Sequence, residues 1–259
     1  MKEYILITGA SSGIGYEMAI QLAQKQHNLI LAARSADKLE KMQKELKAKY
    51  AIEVEYMEVD LSLKEEAKML YEAIKDKNLL VTGLINNAGV GAYGQFETID
   101  LDEELRMIEL NISSLLTLTK LFGKDMVSRK SGRIMNVASI LSFLPFPYYS
   151  VYSATKAFVL AYTETTAAEL EGSGVIMTAL CPGTVETPFH SETMRKTNAM
   201  SANKPMSADV VAKAGVELFL NGKGKKIVGF MNWFLTNLPR ITPDIMMMKI
   251  KKNLATIKM

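Results

Sequence analysis

Short apolar or β-branched runs alternate along this chain with longer stretches in which apolar positions recur every three or four residues. The runs are Tyr4–Thr8, Leu29–Ala33, Val54–Val59, Gly83–Asn86, Arg133–Val137, Val175–Leu180 and Lys226–Val228. The stretches between them open near Gly13, Ser35, Ser62, Asp102, Ser150 and Ser207, several with Ser or Asp where an N-cap would stand. Strands alternating with helices over the whole length predict a parallel sheet covered on both faces, because a parallel connection needs a crossover that is usually helical. The expected architecture is a single α/β domain, doubly wound around about seven strands, without internal linkers or low-complexity segments.

Composition narrows the possibilities further. A chain of 259 residues with 48% hydrophobic and 23% charged residues is of ordinary globular make-up. It can bury about three quarters of its unfolded surface, so no disulfide or metal is needed to hold the core. Cys181 is the one cysteine and His27 and His190 the two histidines, too few ligands for a zinc finger or an iron–sulfur cluster. No metal site is expected. The net charge of +3 is too small for a protein whose task is to neutralise nucleic-acid phosphates. Met1-Lys2-Glu3 leads into an apolar run without a signal-peptide pattern, and no unbroken apolar stretch is long enough to span a bilayer, so the expectation is a cytoplasmic protein.

Candidate chemistry gathers at the predicted strand ends. Directly after the first strand, Thr8-Gly9-Ala10-Ser11-Ser12-Gly13-Ile14-Gly15 precedes a helical stretch. Glycines there let the backbone turn and approach a ligand closely, and the helix N-terminus presents free N–H groups to a phosphate, which points to a dinucleotide pyrophosphate site. The spacing is G-x-x-x-G-x-G rather than the common G-x-G-x-x-G. A glycine-rich turn that binds nothing is the competing reading, and the strand before and helix after it argue against that. The second strand ends in Arg34-Ser35 where an acid would read the ribose of NAD; Arg34, with Lys38 one turn on, favours the extra phosphate of NADP. Asp60-Leu61 and Asn86-Asn87-Ala88-Gly89 end the third and fourth strands, where open parallel sheets bind ligands. After the fifth strand stands Ser139, and Tyr152 and Lys156 lie one turn apart on the next helix. A cation near a phenol stabilises the phenolate and brings proton exchange towards neutral pH, so Tyr152 is a candidate acid/base and Ser139 a donor to the substrate oxygen.

Together, Thr8–Gly15, Asn86–Gly89, Asn111, Ser139, the Y-x-x-x-K of Tyr152 and Lys156, and Pro182-Gly183 with Thr187 resemble the classical short-chain dehydrogenase/reductase family over roughly residues 4 to 190. The resemblance implies a Rossmann-type fold, a nicotinamide cofactor, and a tetrad of Asn111, Ser139, Tyr152 and Lys156. It implies that Tyr152 is the acid/base, that Ser139 orients the carbonyl, that Lys156 holds the nicotinamide ribose, and that Asn111 holds a proton-relay water. It also assigns cofactor binding to Gly9, Ser11, Ser12, Gly13, Ile14, Gly15, Asp60, Leu61, Asn87, Ala88, Gly89, Pro182, Gly183 and Thr187. Such proteins are usually dimers or tetramers, so a homodimer or homotetramer is expected.

Beyond residue 190 the chain departs from the commonest family pattern. Residues 1–229 form the expected catalytic domain and 230–259 an extension, where Arg240, Lys249, Lys251, Lys252 and Lys258 stand against Asp244 alone. That segment, with Met231, Trp233, Phe234, Leu235, Met246, Met247 and Met248, has three readings. It packs over the substrate site or a second subunit, which is favoured; it lies on an anionic membrane; or it is a mobile end. Pro239 and Pro243 break any continuous helix and weaken the membrane reading. Leu141–Tyr149 is too apolar for an exposed loop and reads as a substrate-pocket wall or a subunit contact. His27 and His190 read as solvated or structural, and Cys181 as a small buried apolar residue. The expected activity is NADP(H)-dependent hydride transfer between nicotinamide and a carbonyl or secondary alcohol, with an apolar substrate. A non-catalytic NADP(H)-sensing or scaffolding protein is the alternative, which the intact tetrad argues against, and the spacing and short chain argue against a sugar-nucleotide epimerase.

Overall fold

A computed structural model of the chain describes residues 2–187, 189, 194, 197–198, 204–237 and 244–256. The main sheet has seven strands, all parallel, in the order β3-β2-β1-β4-β5-β6-β9. Its strands are β1 (Glu3–Thr8), β2 (Asn28–Ala33), β3 (Val54–Glu58), β4 (Leu80–Asn86), β5 (Gly132–Val137), β6 (Val175–Cys181) and β9 (Gly224–Ile227). Between the last two, β7 (Val185–Glu186) and β8 (Met206–Ser207) form a small parallel pair of their own.

Both faces of the central strands are buried, which is why they read as continuous apolar runs rather than as an alternation. Within each strand the side chains still alternate. Ile5, Ile7, Leu29, Leu31, Ile85 and Met135 face helices α1 (Gly13–Gln24), α2 (Ala36–Lys49) and α7 (Ala208–Asn221). Tyr4, Leu6, Ile30, Leu84 and Ile134 face α3 (Glu66–Asp76) and α5 (Leu115–Ser128) on the other side. Helix α6 (Ser150–Glu169) covers β5 and β6 through Val159 and Leu160. Helices α8 (Phe230–Asn237) and α9 (Asp244–Ala255) complete the described chain.

The expected strands are present, with shifts that have local causes. β4 begins three residues earlier than its apolar run suggests, at Leu80. The stretch expected to turn helical near Ser62 does so only at Glu66, because the Asp60 carboxylate accepts from both the Ser62 N–H (3.0 Å) and the Ser62 hydroxyl (2.7 Å) and holds a turn. The helix expected near Asp102, α4 (Leu101–Ile108), starts at Leu101, where the Asp100 side chain caps it by accepting from the N–H groups of Asp102 and Glu103. It then passes through a π-helical segment, Glu109–Ser114, before continuing as α5. The Ser12, Ser35 and Ser207 side chains, in contrast, make no capping bond.

Candidate active site

Strand order reverses between β1 and β4, so the carboxyl ends of these two strands diverge and leave a crevice. The loops that follow β1, β2, β4, β5 and β6 open onto one cavity of about 820 Å³ there.

At its first end lies the glycine loop. Gly9 has a positive φ of 66°, and a Cβ built on Gly15 would fall 2.4 Å from the Asn87 side-chain nitrogen and 2.5 Å from the Gly9 carbonyl oxygen. Only glycine lets α1 start this close to the strand ends. The loop is tied from across the switch point. Asn87 donates its side-chain N–H groups to the carbonyls of Thr8 (3.0 Å) and Gly9 (3.2 Å), while the Thr8 hydroxyl accepts from the backbone of Asn87 and Ala88. Gly9, Ser11, Ser12, Gly13 and Ile14 line the cavity; Gly15 sits behind them as the contact that seats the helix. Because neither Ser12 nor Ser35 caps its helix, the first N–H groups of α1 and α2 are left for a ligand. Arg34 and Lys38 are exposed beside Ser35 on the same wall, with Asp60 and Leu61 next to them. Asn87, Ala88 and Gly89 line the floor, and Pro182, Gly183 and Thr187 stand opposite, Thr187 packing over Gly13.

At the second end the geometry converges on Tyr152. Ser139 follows β5 by two residues in extended backbone and caps the short 3₁₀ turn Ile140–Ser142, its hydroxyl accepting from the Leu141 N–H at 3.1 Å. Ser142 donates to the Lys156 carbonyl at 2.7 Å, so this turn is fastened to α6 where Tyr152 and Lys156 stand. The Ser139 hydroxyl stands on the Tyr152 side of the cavity and draws the phenol's pKa down. The Lys156 ammonium donates to the Val137 carbonyl at 2.8 Å and lies 5.9 Å from the centre of the Tyr152 ring.

Both ionisable groups are buried, and burial governs their acidity. It pushes the Tyr152 phenol up to about 12, against the opposing pull of Ser139, and the Lys156 ammonium down to about 8. The expectation that Lys156 brings the phenol towards neutral pH is therefore corrected for the resting site: burial sets the phenol's acidity there, while the ammonium keeps its charge as it donates to Val137. Tyr152 is protonated at neutral pH, the form that gives a proton.

Asn111 sits in the π-helical segment and does not line the cavity. Its carboxamide is committed, accepting from Val90 N–H (3.0 Å) and donating to the Val90 carbonyl (2.9 Å) and the Thr155 hydroxyl (3.1 Å). Thr155 in turn donates to the Tyr152 carbonyl at 2.8 Å, so Asn111 braces both the loop after β4 and the turn of α6 that carries Tyr152.

Beyond Tyr152 the cavity becomes apolar. Leu141, Leu144, Phe146 and Tyr149 of the loop expected to wall a pocket do line it, joined by Phe189, and by Met231, Leu235, Met247, Ile250 and Leu254 of the extension. The rest of the expected apolar cover is not turned inward, since Trp233, Phe234, Met246 and Met248 are exposed. Sequence reading missed Ser142, Thr155, Phe189 and Tyr93. The Tyr93 hydroxyl donates to the Ala255 carbonyl at 2.7 Å and pins the end of α9. The S-x-x-S spacing of Ser139 and Ser142 was a usable signal; Tyr93 had none. Asn232 of α8, also missed, packs against Gly183 and donates to the Val228 carbonyl. Cys181 is buried, with its thiol pushed up to about 12. His27 is half-buried and away from the cavity, and His190, Pro239 and Pro243 lie outside the described residues.

Known proteins are similar to this chain in sequence and in fold. The chain is 31% identical over 247 residues, 92% of its length and 76% of the relative's, to a very-long-chain 3-oxoacyl-CoA reductase of Macaca fascicularis. It is 34% identical over 191 residues, 72% of its length and 60% of the relative's, to human 17-beta-hydroxysteroid dehydrogenase type 3. Among solved structures, a short-chain dehydrogenase from Sphingobium yanoikuyae in complex with NADPH superimposes with a TM-score of 0.79 at 27% identity, over 93% of both chains. A model of the short chain dehydrogenase family matches residues 3–198. With the sheet order, the glycine loop and the Ser139–Tyr152–Lys156 cluster in place, the chain belongs to the short-chain dehydrogenase family of oxidoreductases.

Proposed function

We propose that this protein is an NADP(H)-dependent reductase or dehydrogenase acting on the carbonyl or secondary alcohol of an apolar substrate. The observation that carries the reading is that one cavity joins the glycine loop and Arg34 at one end to Ser139, Tyr152 and an apolar chamber at the other. The residues fit a phosphorylated dinucleotide. The close approach of Gly9 and Gly15 leaves room for a pyrophosphate at the uncapped start of α1, and the cations Arg34 and Lys38 stand where β2 ends. A nicotinamide bound there would supply or accept the hydride.

The chain's own residues do the remainder. Tyr152 gives its proton to the carbonyl oxygen as the alkoxide develops, and Ser139 donates a second hydrogen bond to the same oxygen. The Lys156 charge, held beneath the ring by Val137, stabilises the phenolate left behind. Asn111 acts as a positioning residue through Val90 and Thr155. The apolar wall excludes water from these groups and selects an apolar substrate, which agrees with the long-chain acyl and steroid substrates named for the relatives. NADPH in a solved neighbour supports the choice of the phosphorylated cofactor.

Screening the purified protein for NADPH and NADH oxidation against carbonyls graded in apolar size tests the reading. Oxidation of NADPH in preference to NADH, rising with apolar size, is expected. Tight NADPH binding without turnover of any carbonyl would favour a sensing or scaffolding role instead.

A further inference from the structure

The last two helices carry apolar side chains both towards the cavity and towards solvent. Met231 and Leu235 of α8 and Met247, Ile250 and Leu254 of α9 face the cavity. Phe230 and Ile245, which do not line the cavity, are each 78% exposed, as are Trp233, Phe234, Met246 and Met248 to at least half, and Met231, though it lines the cavity, is 56% exposed. Phe230 and Trp233 stack at 6.0 Å, so their rings form one surface rather than scattered contacts. Neighbouring large apolar side chains are not left in water without a partner.

The charges on these helices indicate which partner. Lys249 and Lys252 are exposed on α9 among these apolar residues, Lys251 is buried against the cavity, and no acid is present among the described side chains of either helix. A second copy of the chain meeting this face across a two-fold axis would set like charges against each other. An anionic lipid surface, by contrast, takes both the apolar side chains and the lysines, whose stems lie along the apolar layer while the ammonium groups reach the headgroups. Neither helix is long enough to cross a bilayer: α8 has 8 residues and α9 has 12, and no described helix qualifies. They would lie in the interface.

We infer that the outer face of α8 and α9, centred on Phe230, Trp233, Ile245 and Met248 and flanked by Lys249 and Lys252, docks the protein on an anionic membrane surface. Because the inner faces of the same helices wall the cavity, docking sets the apolar chamber against the lipid phase from which an apolar substrate would enter.

Trp233 is the chain's only tryptophan and reports on this face directly. The full chain is mixed with vesicles of phosphatidylcholine alone, or of phosphatidylcholine and phosphatidylserine in equal parts, and both co-sedimentation and Trp233 emission are read. Binding to the anionic vesicles with a blue shift is expected, together with weaker binding to the neutral ones. The double variant Lys249→Glu, Lys252→Glu should bind the anionic vesicles at least about tenfold more weakly, since each lysine near such a surface contributes about fivefold. Circular dichroism checks that it is folded. Should it not fold, added salt must release the wild type, as screening requires. No binding to anionic vesicles, or binding indifferent to both lipid charge and salt, overturns the inference. So does a blue shift that grows with protein concentration without vesicles, which assigns the face to a second copy.

Discussion

Tyr152 and Lys156 stand one turn apart on α6, both almost without solvent, and this sets their behaviour more than their proximity does. Lys156 titrates near 8 when folded against 10.5 when free. Its charge therefore costs stability in full below about pH 8, and the cost falls as pH rises towards 10.5, where the unfolded chain still holds a proton that the folded one has released. In urea titrations, the stability of Lys156→Met relative to wild type should fall by as much as about 3 kcal/mol between these limits. A difference independent of pH would show that the ammonium is not strained by burial. At the other end of the cavity, Arg34→Ala should weaken NADPH by about tenfold or more and leave NADH nearly unchanged, because a charge-assisted hydrogen bond to phosphate contributes roughly 1.5–3 kcal/mol. Isothermal titration with both cofactors checks this. Residue types and spacing made Ser139, Tyr152 and Lys156 legible in the sequence. The direction of the phenol's shift was not, because it follows from burial, and residues that pack with Tyr152, such as Ala92, Met107 and Phe189, come together with it only in the fold.

Most element starts were legible because a single residue marks them, as Gly13 marks α1 and Ser150 marks α6. Where side chains compete, the reading slipped: Asp60 holds Ser62 in a turn and delays α3, and the helix after Asp100 is interrupted by a π-helical segment that no local pattern announces. That segment carries Asn111, and π-helical turns often mark functional positions. The hold on the extension was also hidden, since Tyr93 and Ala255 are 162 residues apart. Tyr93→Phe removes that one hydrogen bond, so steady-state kinetics should show KM for an apolar carbonyl raised about fivefold with NADPH affinity unchanged. An unchanged KM would mean that α9 keeps its place over the cavity without Tyr93.

At the scale of the whole molecule, the alternation of strands and helices announced a doubly wound sheet, but the strand order came from non-local pairing. That order places the crevice between β1 and β4 and so brings the glycine loop and Tyr152 to one cavity. A ligand held across it ties the two halves of the sheet together. NADPH at about a hundred times its dissociation constant should add about 2.7 kcal/mol and raise Tm by roughly 5–10 °C, a rise that Gly15→Val should abolish because the added side chain forces α1 away from Asn87. Whether the cavity performs chemistry rests on the phenol proton. The most direct measurement is single-turnover reduction of the best carbonyl found, by wild type and Tyr152→Phe, with NADPH affinity measured on the same preparations. Reduction slowed by about 10²- to 10⁴-fold with NADPH binding intact is expected; turnover by the Phe variant at near the wild-type rate would contradict Tyr152 as the proton donor and the mechanism built on it.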